Sequence, residues 1–358
     1  MWKKEYNFDP HWFRTPFNQR MHYLDVGSGF PTVMLHGNPT WSFMYRKLIT
    51  AVQEQHIRAI APDHIGCGYS DKPQDWDYRL AKHVSNLEAL LDDVLQLPQF
   101  DLVVHDWGGP IGFLYAVRHP DKIRKIVVMN SVAWMSSHFP RSIYLTRMPF
   151  IGSLVVRSWN LLLKKALKSC TVKPLSQDAI DGFRAPYNTF ESRIAIQRFP
   201  QDIPTKPSHP SYNDFRFIKE HLSLLREKPM LICWGEQDFC FPNRFLKRWK
   251  KYFPDAVVQT YPECGHFILE EDNDAIPRIV DFLKAPLAEP KPVEESEANK
   301  PSSENTTDGP EKAQAEQKEN SADGPEKAKA EQKENTTDGP ERAKSEQKEN
   351  TTDGPEKA

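Results

Sequence analysis

Short apolar runs separated by segments of helical spacing constrain this chain more than any other feature. The runs cover residues 21–26, 32–36, 58–62, 102–105, 125–129, 230–234 and 256–261. They are mostly apolar throughout instead of alternating, as strands need when both faces of a parallel sheet are covered. Between them, Leu80, Val84, Leu87, Leu91 and Val94 recur at helical spacing, and Ile111 to Val117 reads as a second helix. Strands alternating with helices predict an α/β class fold, a right-handed, wound, mostly parallel sheet. The alternation stops from about Val132 to Phe217, a stretch rich in Trp, Arg, Ser and Pro. The expected arrangement is a core from residues 1–131 and 218–287, with 132–217 inserted as a helical cap (lid).

Residues 288–358 belong to a different kind of polymer. From Glu289 onward there are 19 acidic and 11 basic side chains, a net of −8, which leaves residues 1–288 at +6. That tail holds no Phe, Trp or Tyr, and Val293 is its single large aliphatic residue. Such a composition cannot bury enough apolar surface to offset the entropy of ordering, so a disordered tail is expected. It repeats every 15 residues from Glu304 (ENTTDGPEKAQAEQK, ENSADGPEKAKAEQK, ENTTDGPERAKSEQK), and no apolar face exists on which the repeats could stack. A spacer, a weak protein-interaction segment and a neutral expansion all fit. Asn305, Asn335 and Asn350 form Asn-Thr-Thr sequons, which mean little without a secretory route.

Composition also narrows the class of function. The N-terminal MWKKEYNFDP lacks the apolar core of a signal peptide, and no stretch reaches bilayer-spanning length. Five cysteines without a CxxC pair indicate neither a disulfide framework nor a zinc knuckle. No Arg/Lys stripe supports nucleic-acid binding. A cytoplasmic enzyme with no cofactor and no metal is the expectation.

Three segments carry chemistry. LVVHDWGGPIGF (102–113) reads as strand, sharp turn and helix, the context in which one strained residue is held above the ends of the strands. The exposed position falls on Asp106, with Gly108 two residues later and Val104 where a glycine is expected two residues earlier. Asp106 would also serve as a plain helix cap, were it alone. WGEQDFCFP then places Asp238 after a buried strand, and PECGHF places His266 after the next. The order Asp106, Asp238, His266 matches nucleophile, acid and base in wound α/β hydrolases, with Asp238 orienting the His266 imidazole. VMLHGNPTW (33–41) follows an early strand, where such enzymes place oxyanion-binding amides. Asn38 adds a side-chain amide and Trp107 an indole N–H, neutral donors suited to a halide-like leaving group. A carboxylate nucleophile displaces a leaving group at saturated carbon and forms an alkyl ester, which His266-activated water then opens.

These residues resemble the haloalkane dehalogenase family over most of residues 16–285: HGNPTWSFMYRKL (36–48), APDHIGCGYSDKP (61–73), VVHDWGGPIGF (103–113), APYNTFESRIAIQRFPQDIP (185–204), WGEQDF (234–239) and GHFILEE (265–271). The resemblance implies an α/β-hydrolase fold with an inserted helical cap, a nucleophile at Asp106, a base at His266, an acid at Asp238 and halide-binding donors at Asn38 and Trp107. One branch of that family takes its acid after the preceding strand, which here is near Asn130, so the acid falls to Asp238. The lid and the DFCF run look closest to a subgroup that also contains bacterial β-lactone decarboxylases, which act on cis-3-alkyl-4-alkyloxetan-2-ones in long-chain olefin synthesis. Dehalogenation of small apolar haloalkanes is the leading expectation and β-lactone decarboxylation the alternative. An epoxide hydrolase would need lid tyrosines, for which Tyr144, Tyr187 and Tyr212 are candidates. A fluoroacetate dehalogenase would carry Arg where Trp107 stands. A scaffold acting through the tail has no need of the three catalytic-type residues.

Other residues are read as structural. His105 is taken as a packed strand-end residue, Glu270 and Glu271 as solvated or helix-start charges, and Cys264 as no nucleophile. His83, Asp92 and Asp93 are placed on an amphipathic helix with solvent-facing neighbours, and Gly66 and Gly68 lack a dinucleotide pattern. Trp134, Phe139, Trp159 and Phe183 are expected to wall an apolar pocket above Asp106.

Overall fold

A computed structural model describes residues 2–136, 140–271 and 273–287 of the chain. Contacts divide it into Met1–Pro290 and Lys291–Ala358. The second unit lies outside the described residues, as do the repeats, their sequons and Phe139.

Eight strands form one sheet: β1 (Pro10–Arg14), β2 (Arg20–Val26), β3 (Pro31–Leu35), β4 (Arg58–Pro62), β5 (Phe100–Asp106), β6 (Ile123–Ser131), β7 (Met230–Gly235) and β8 (Val257–Tyr261). Their order is β1-β2-β4-β3-β5-β6-β7-β8. All neighbours from β4 onward in that order are parallel, whereas β1–β2 and β2–β4 are antiparallel. The sequence did not disclose β1. Its residues PHWFR are mostly exposed, so no apolar run marks them, and Pro10 sits first, where a missing N–H costs an edge strand least.

The continuous apolar runs hide a period of two. Leu102 and Val104 of β5 join one core with Ile111, Phe113 and Trp249, while Val103 joins the other with Leu48 and Ile279. Helices α1 (Arg46–Gln53), α2 (Leu80–Glu88) and α3 (Gly108–Arg118) follow β3, β4 and β5. The helix expected through Val94 is α-helical only to Glu88; a π-helical turn, Ala89–Val94, ends it.

Between β6 and β7 the chain makes α4 (Arg141–Arg147), α5 (Pro149–Gly152), a π-helical turn (Ser153–Ser158), α6 (Leu161–Ser169), α7 (Gln177–Arg184), α8 (Ile194–Gln201) and α9 (Tyr212–His221). Residue 217 falls inside α9, which packs on α3. Helices α10 (Asn243–Tyr252) and α11 (Ala275–Lys284) complete the fold. Trp249 of α10 is fully buried, and its indole N–H donates to the Ser131 carbonyl at 2.8 Å. Deleting a side chain of that size from a core costs about 3–5 kcal/mol.

Two sequence readings are corrected here. His83 is not on a solvent face. It is buried, stacks on Phe199 at 4.8 Å and faces His64, and burial pushes its pKa down to about 3. Glu270 is not a solvated charge either. Its carboxylate is 1 % exposed and takes two hydrogen bonds from Arg46, also 1 % exposed, plus Lys47 Nζ at 3.0 Å. Removing one partner of such a buried pair costs about 3–5 kcal/mol, because the other charge is left stranded. Arg46 begins α1, so this pair ties the segment just after His266 to the helix that follows β3.

Candidate active site

β5 ends at Asp106, where the chain turns into α3 within two residues. Asp106 has φ +49°, a left-handed conformation that non-glycine residues seldom adopt. The surroundings leave no slack. A Cβ on Gly108 would lie 1.9 Å from the Leu35 carbonyl oxygen, and one on Gly37 would lie 2.3 Å from Asp106 Cβ. Val104 is accommodated because α3 carries Gly112 opposite it, where a Cβ would come within 2.8 Å of Val104 Cγ1. The glycine missing before the turn is thus replaced by one inside the helix.

The carboxylate of Asp106 is held asymmetrically. Oδ1 accepts from the Asn38 backbone N–H at 2.7 Å, and the Trp107 backbone N–H also donates to the carboxylate. Oδ2 faces His266 Nε2 at 3.7 Å. Burial raises the Asp106 pKa above the ordinary carboxylate value, against the opposing pull of His266 and the two amides.

His266 Nδ1 is 2.8 Å from Asp238 Oδ2. A carboxylate only accepts, so Nδ1 carries the proton and neutral His266 presents the lone pair of Nε2 to Asp106. Burial alone would lower the His266 pKa, yet the Asp238 charge, its hydrogen bond and the Asp106 charge outweigh it and raise it. Asp238 is itself fixed at both oxygens: Asn130 Nδ2 donates to Oδ2 at 2.9 Å and the Cys240 N–H to Oδ1 at 2.6 Å. Asn130 grips β7 as well, donating to the Gly235 carbonyl at 3.0 Å and accepting from its N–H at 2.8 Å. Sequence reasoning treated Asn130 only as the place where another acid was missing. An Asn at the end of the apolar run 126–129 is the signal that could have been followed.

Further supports hold the two loops. His105 Nε2 donates to the His266 carbonyl at 2.9 Å, which makes it a prop for the loop backbone. Glu271 is not a solvated charge: its carboxylate accepts from the backbone N–H groups of Gly265 and of Val172, the latter at 2.7 Å. Beneath Asn38, His36 Nδ1 donates to the Gly37 carbonyl at 2.8 Å while its Nε2 accepts from the His64 N–H at 3.1 Å. Cys264 is buried and its thiol pKa is raised by burial.

A cavity of about 120 Å³ opens above Asp106. Among the described residues Asp106 is the one carboxylate in its wall; Trp134, Met135, Ile143, Ile203, Phe215 and Phe241 contribute apolar surface. Asn38 and Trp107 both line it; the Asn38 amide meanwhile donates to the Ile196 carbonyl at 3.3 Å. Of the predicted wall, Trp134 is present. Trp159 is instead 51 % exposed, and Phe183 packs between Phe43 and Phe267 outside the lining. Tyr144, Tyr187 and Tyr212 do not line the cavity; the Tyr187 hydroxyl donates to the Thr40 carbonyl. Among the described residues no three His, Cys, Asp or Glu side chains are placed to hold a metal ion, and no helix is long and apolar enough to cross a membrane.

Known proteins agree with this architecture. Residues 31–273 match the alpha/beta hydrolase fold family. The chain is 41% identical over 263 residues to a cis-3-alkyl-4-alkyloxetan-2-one decarboxylase of Shewanella oneidensis, spanning 72% of this chain and 82% of the relative. It is 31% identical over 274 residues to haloalkane dehalogenase 2 of Mycobacterium bovis, spanning 76% and 93%. The crystal structure of haloalkane dehalogenase DbeA from Bradyrhizobium elkani matches at a TM-score of 0.70 and 27% identity, over 76% of this chain and 96% of that one.

Proposed function

The chain belongs to the alpha/beta hydrolase family, among relatives that are haloalkane dehalogenases and cis-3-alkyl-4-alkyloxetan-2-one decarboxylases, and from that premise we propose that it is a β-lactone decarboxylase with Asp106 as nucleophile. The observation that carries this reading is identity: 41% to a decarboxylase against 31% to a dehalogenase over nearly the same span. The likeness shifts the lead from the haloalkane, which the motifs alone favour, to the lactone.

In this reading the Asp106 carboxylate attacks the ring carbon bearing the lactone oxygen. The carbon–oxygen bond breaks, leaving an ester on Asp106 and a free carboxylate on the substrate. That carboxylate then departs as CO2: its bond to the neighbouring carbon supplies the electrons of the new double bond, and Asp106 leaves as the carboxylate it began as. Inversion in the first step and anti elimination in the second convert a cis lactone into a cis alkene. Asn38 and Trp107 stabilise the carboxylate as it forms. An apolar wall supports two alkyl chains and keeps water from the ester.

Haloalkane hydrolysis is the second reading, favoured by the neutral donors beside the carboxylate. It uses the same ester but opens it with water activated by His266 Nε2. Epoxide opening is disfavoured because no tyrosine lines the cavity among the described residues. A scaffold role leaves the Asp106–His266–Asp238 chain without a purpose.

The test supplies the full-length protein with a cis-dialkyl β-lactone, measuring alkene and CO2, and in parallel with a 1-bromoalkane, measuring bromide. Fast alkene formation with only trace bromide, lost in Asp106→Ala, supports the decarboxylase. The reverse pattern assigns a dehalogenase, and silence in both arms sinks both readings.

A further inference from the structure

The insertion between β6 and β7 carries a second surface, turned away from the cavity. From the structure we infer that α4, α5, the π-helical turn and α6 form a docking face for an anionic lipid bilayer. The inference does not depend on which leaving group Asp106 displaces.

Three observations combine. First, eight of the seventeen large apolar side chains exposed among the described residues fall between Tyr144 and Leu161. Phe150, at 90 %, stands almost wholly in solvent, and Ile151, Leu154 and Trp159 are close to half exposed. These elements pack on one another in sequence, so the exposed side chains form one neighbourhood and are not scattered. A contiguous apolar area on a protein surface marks a contact site.

Second, the charge there has one sign. Residues 141–173 hold seven Lys and Arg and neither Asp nor Glu. Lys164, Lys168 and Lys173 are exposed. Protein partners meet rims of mixed sign, whereas an anionic membrane selects for cations alone around an apolar wedge.

Third, two shallow grooves run beside α6 and share Lys164 and Lys168 at their edges. One is floored by Leu145, Val155 and Leu161, the other by Leu167, Val172 and Ile180. An apolar floor with an ammonium rim is the shape that accepts an acyl chain and the anionic group at its end. An acidic polar peptide would match the rim and waste the floor.

The face also has a place in the chemistry. Ile143 of α4 lines the cavity, while Tyr144 and Leu145, its immediate neighbours in α4, are exposed on the docking side. A substrate dissolved in the bilayer would then be one helix away from the cavity.

Flotation of the full-length protein with vesicles tests this. Equimolar phosphatidylcholine–phosphatidylglycerol vesicles should bind at least tenfold more strongly than phosphatidylcholine alone, with the difference shrinking in high salt. Lys164→Ala and Lys168→Ala should each weaken anionic binding about fivefold, the equivalent of ~1 kcal/mol per surface cation. Phe150→Ala should weaken binding to both compositions about tenfold, the loss of one buried aromatic side chain. Unchanged melting temperatures in these exposed variants exclude misfolding. Absence of binding, or binding indifferent to lipid charge, overturns the inference. So does a self-associated form that Phe150→Ala disperses while vesicles fail to bind, since the face would then join proteins.

Discussion

The two parts of the chain that meet at the cavity are built on opposite rules. On the strand side Asp106 stands in a chain of polar partners: the Asn38 and Trp107 amides on the carboxylate, Asp238 on His266, Asn130 on Asp238. On the insertion side Ile143, Ile203 and Phe215 bring apolar side chains to the wall. In the proposed chemistry, position is fixed where charge moves, and shape is left adjustable where substrates differ. Chemistry and selectivity should therefore respond to separate mutations.

The strongest challenge to that division is His266→Gln. If the chemistry is as proposed, bromide release from a haloalkane falls about 10²–10⁴-fold, and mass spectrometry finds the alkyl ester on Asp106. Lactone turnover needs no water and should fall less than tenfold. Equal losses on both substrates would mean that His266 works in some step common to them.

The pH profiles sharpen the same point. Haloalkane hydrolysis needs neutral His266, whose pKa is raised, so its rate declines as pH drops through a value above the ordinary imidazole one. Decarboxylation needs only ionised Asp106. Its pKa is raised too, but from the carboxylate range, so the lactone limb should lie at lower pH than the haloalkane limb. Coincident limbs would remove the distinction.

Asn130→Ala probes the strand side at one remove. It strips Asp238 of one donor and frees both β7 hydrogen bonds, so kcat should fall about 10-fold or more with KM little changed, alongside roughly 1–3 kcal/mol of stability. The smallest effect is expected on the other side. Ile203→Ala should change KM among chain lengths by up to about tenfold while leaving kcat for the preferred substrate nearly intact, since a few methylenes in an apolar pocket are worth ~1–3 kcal/mol.

How legible each part was follows from what holds it together. That Asp106, Asp238 and His266 come together was readable because each sits in a local pattern of strand then tight turn. The parallel strands were readable because burial on both faces leaves no room for polar residues. Edge strand β1 was not, because its side chains are mostly exposed and no continuous apolar run marks it. Glu270 and His83 misled for a shared reason: a charged or polar side chain is read as exposed unless its partner is known, and Arg46 and His64 are remote in sequence. Trp159 and Phe183 failed differently. Aromatic residues in an insertion announce burial or contact, but not which of several surfaces they serve.

The unequal treatment of the two Asp106 oxygens has a consequence for where atoms come from. The Asn38 amide holds Oδ1, so in the proposed chemistry the oxygen that bonds to substrate is Oδ2. If water reopens the ester at its carbonyl carbon, the departing alcohol takes that protein oxygen with it and the side chain is rebuilt from solvent. In ¹⁸O-water the first alcohol formed would be unlabelled, and the label would reside in Asp106. If the ester collapses by losing CO2, Asp106 keeps its original oxygens through every cycle. If Asp106 is the nucleophile, its side chain thus holds an isotopic record of the reaction performed, readable in a digested peptide after the substrate has gone.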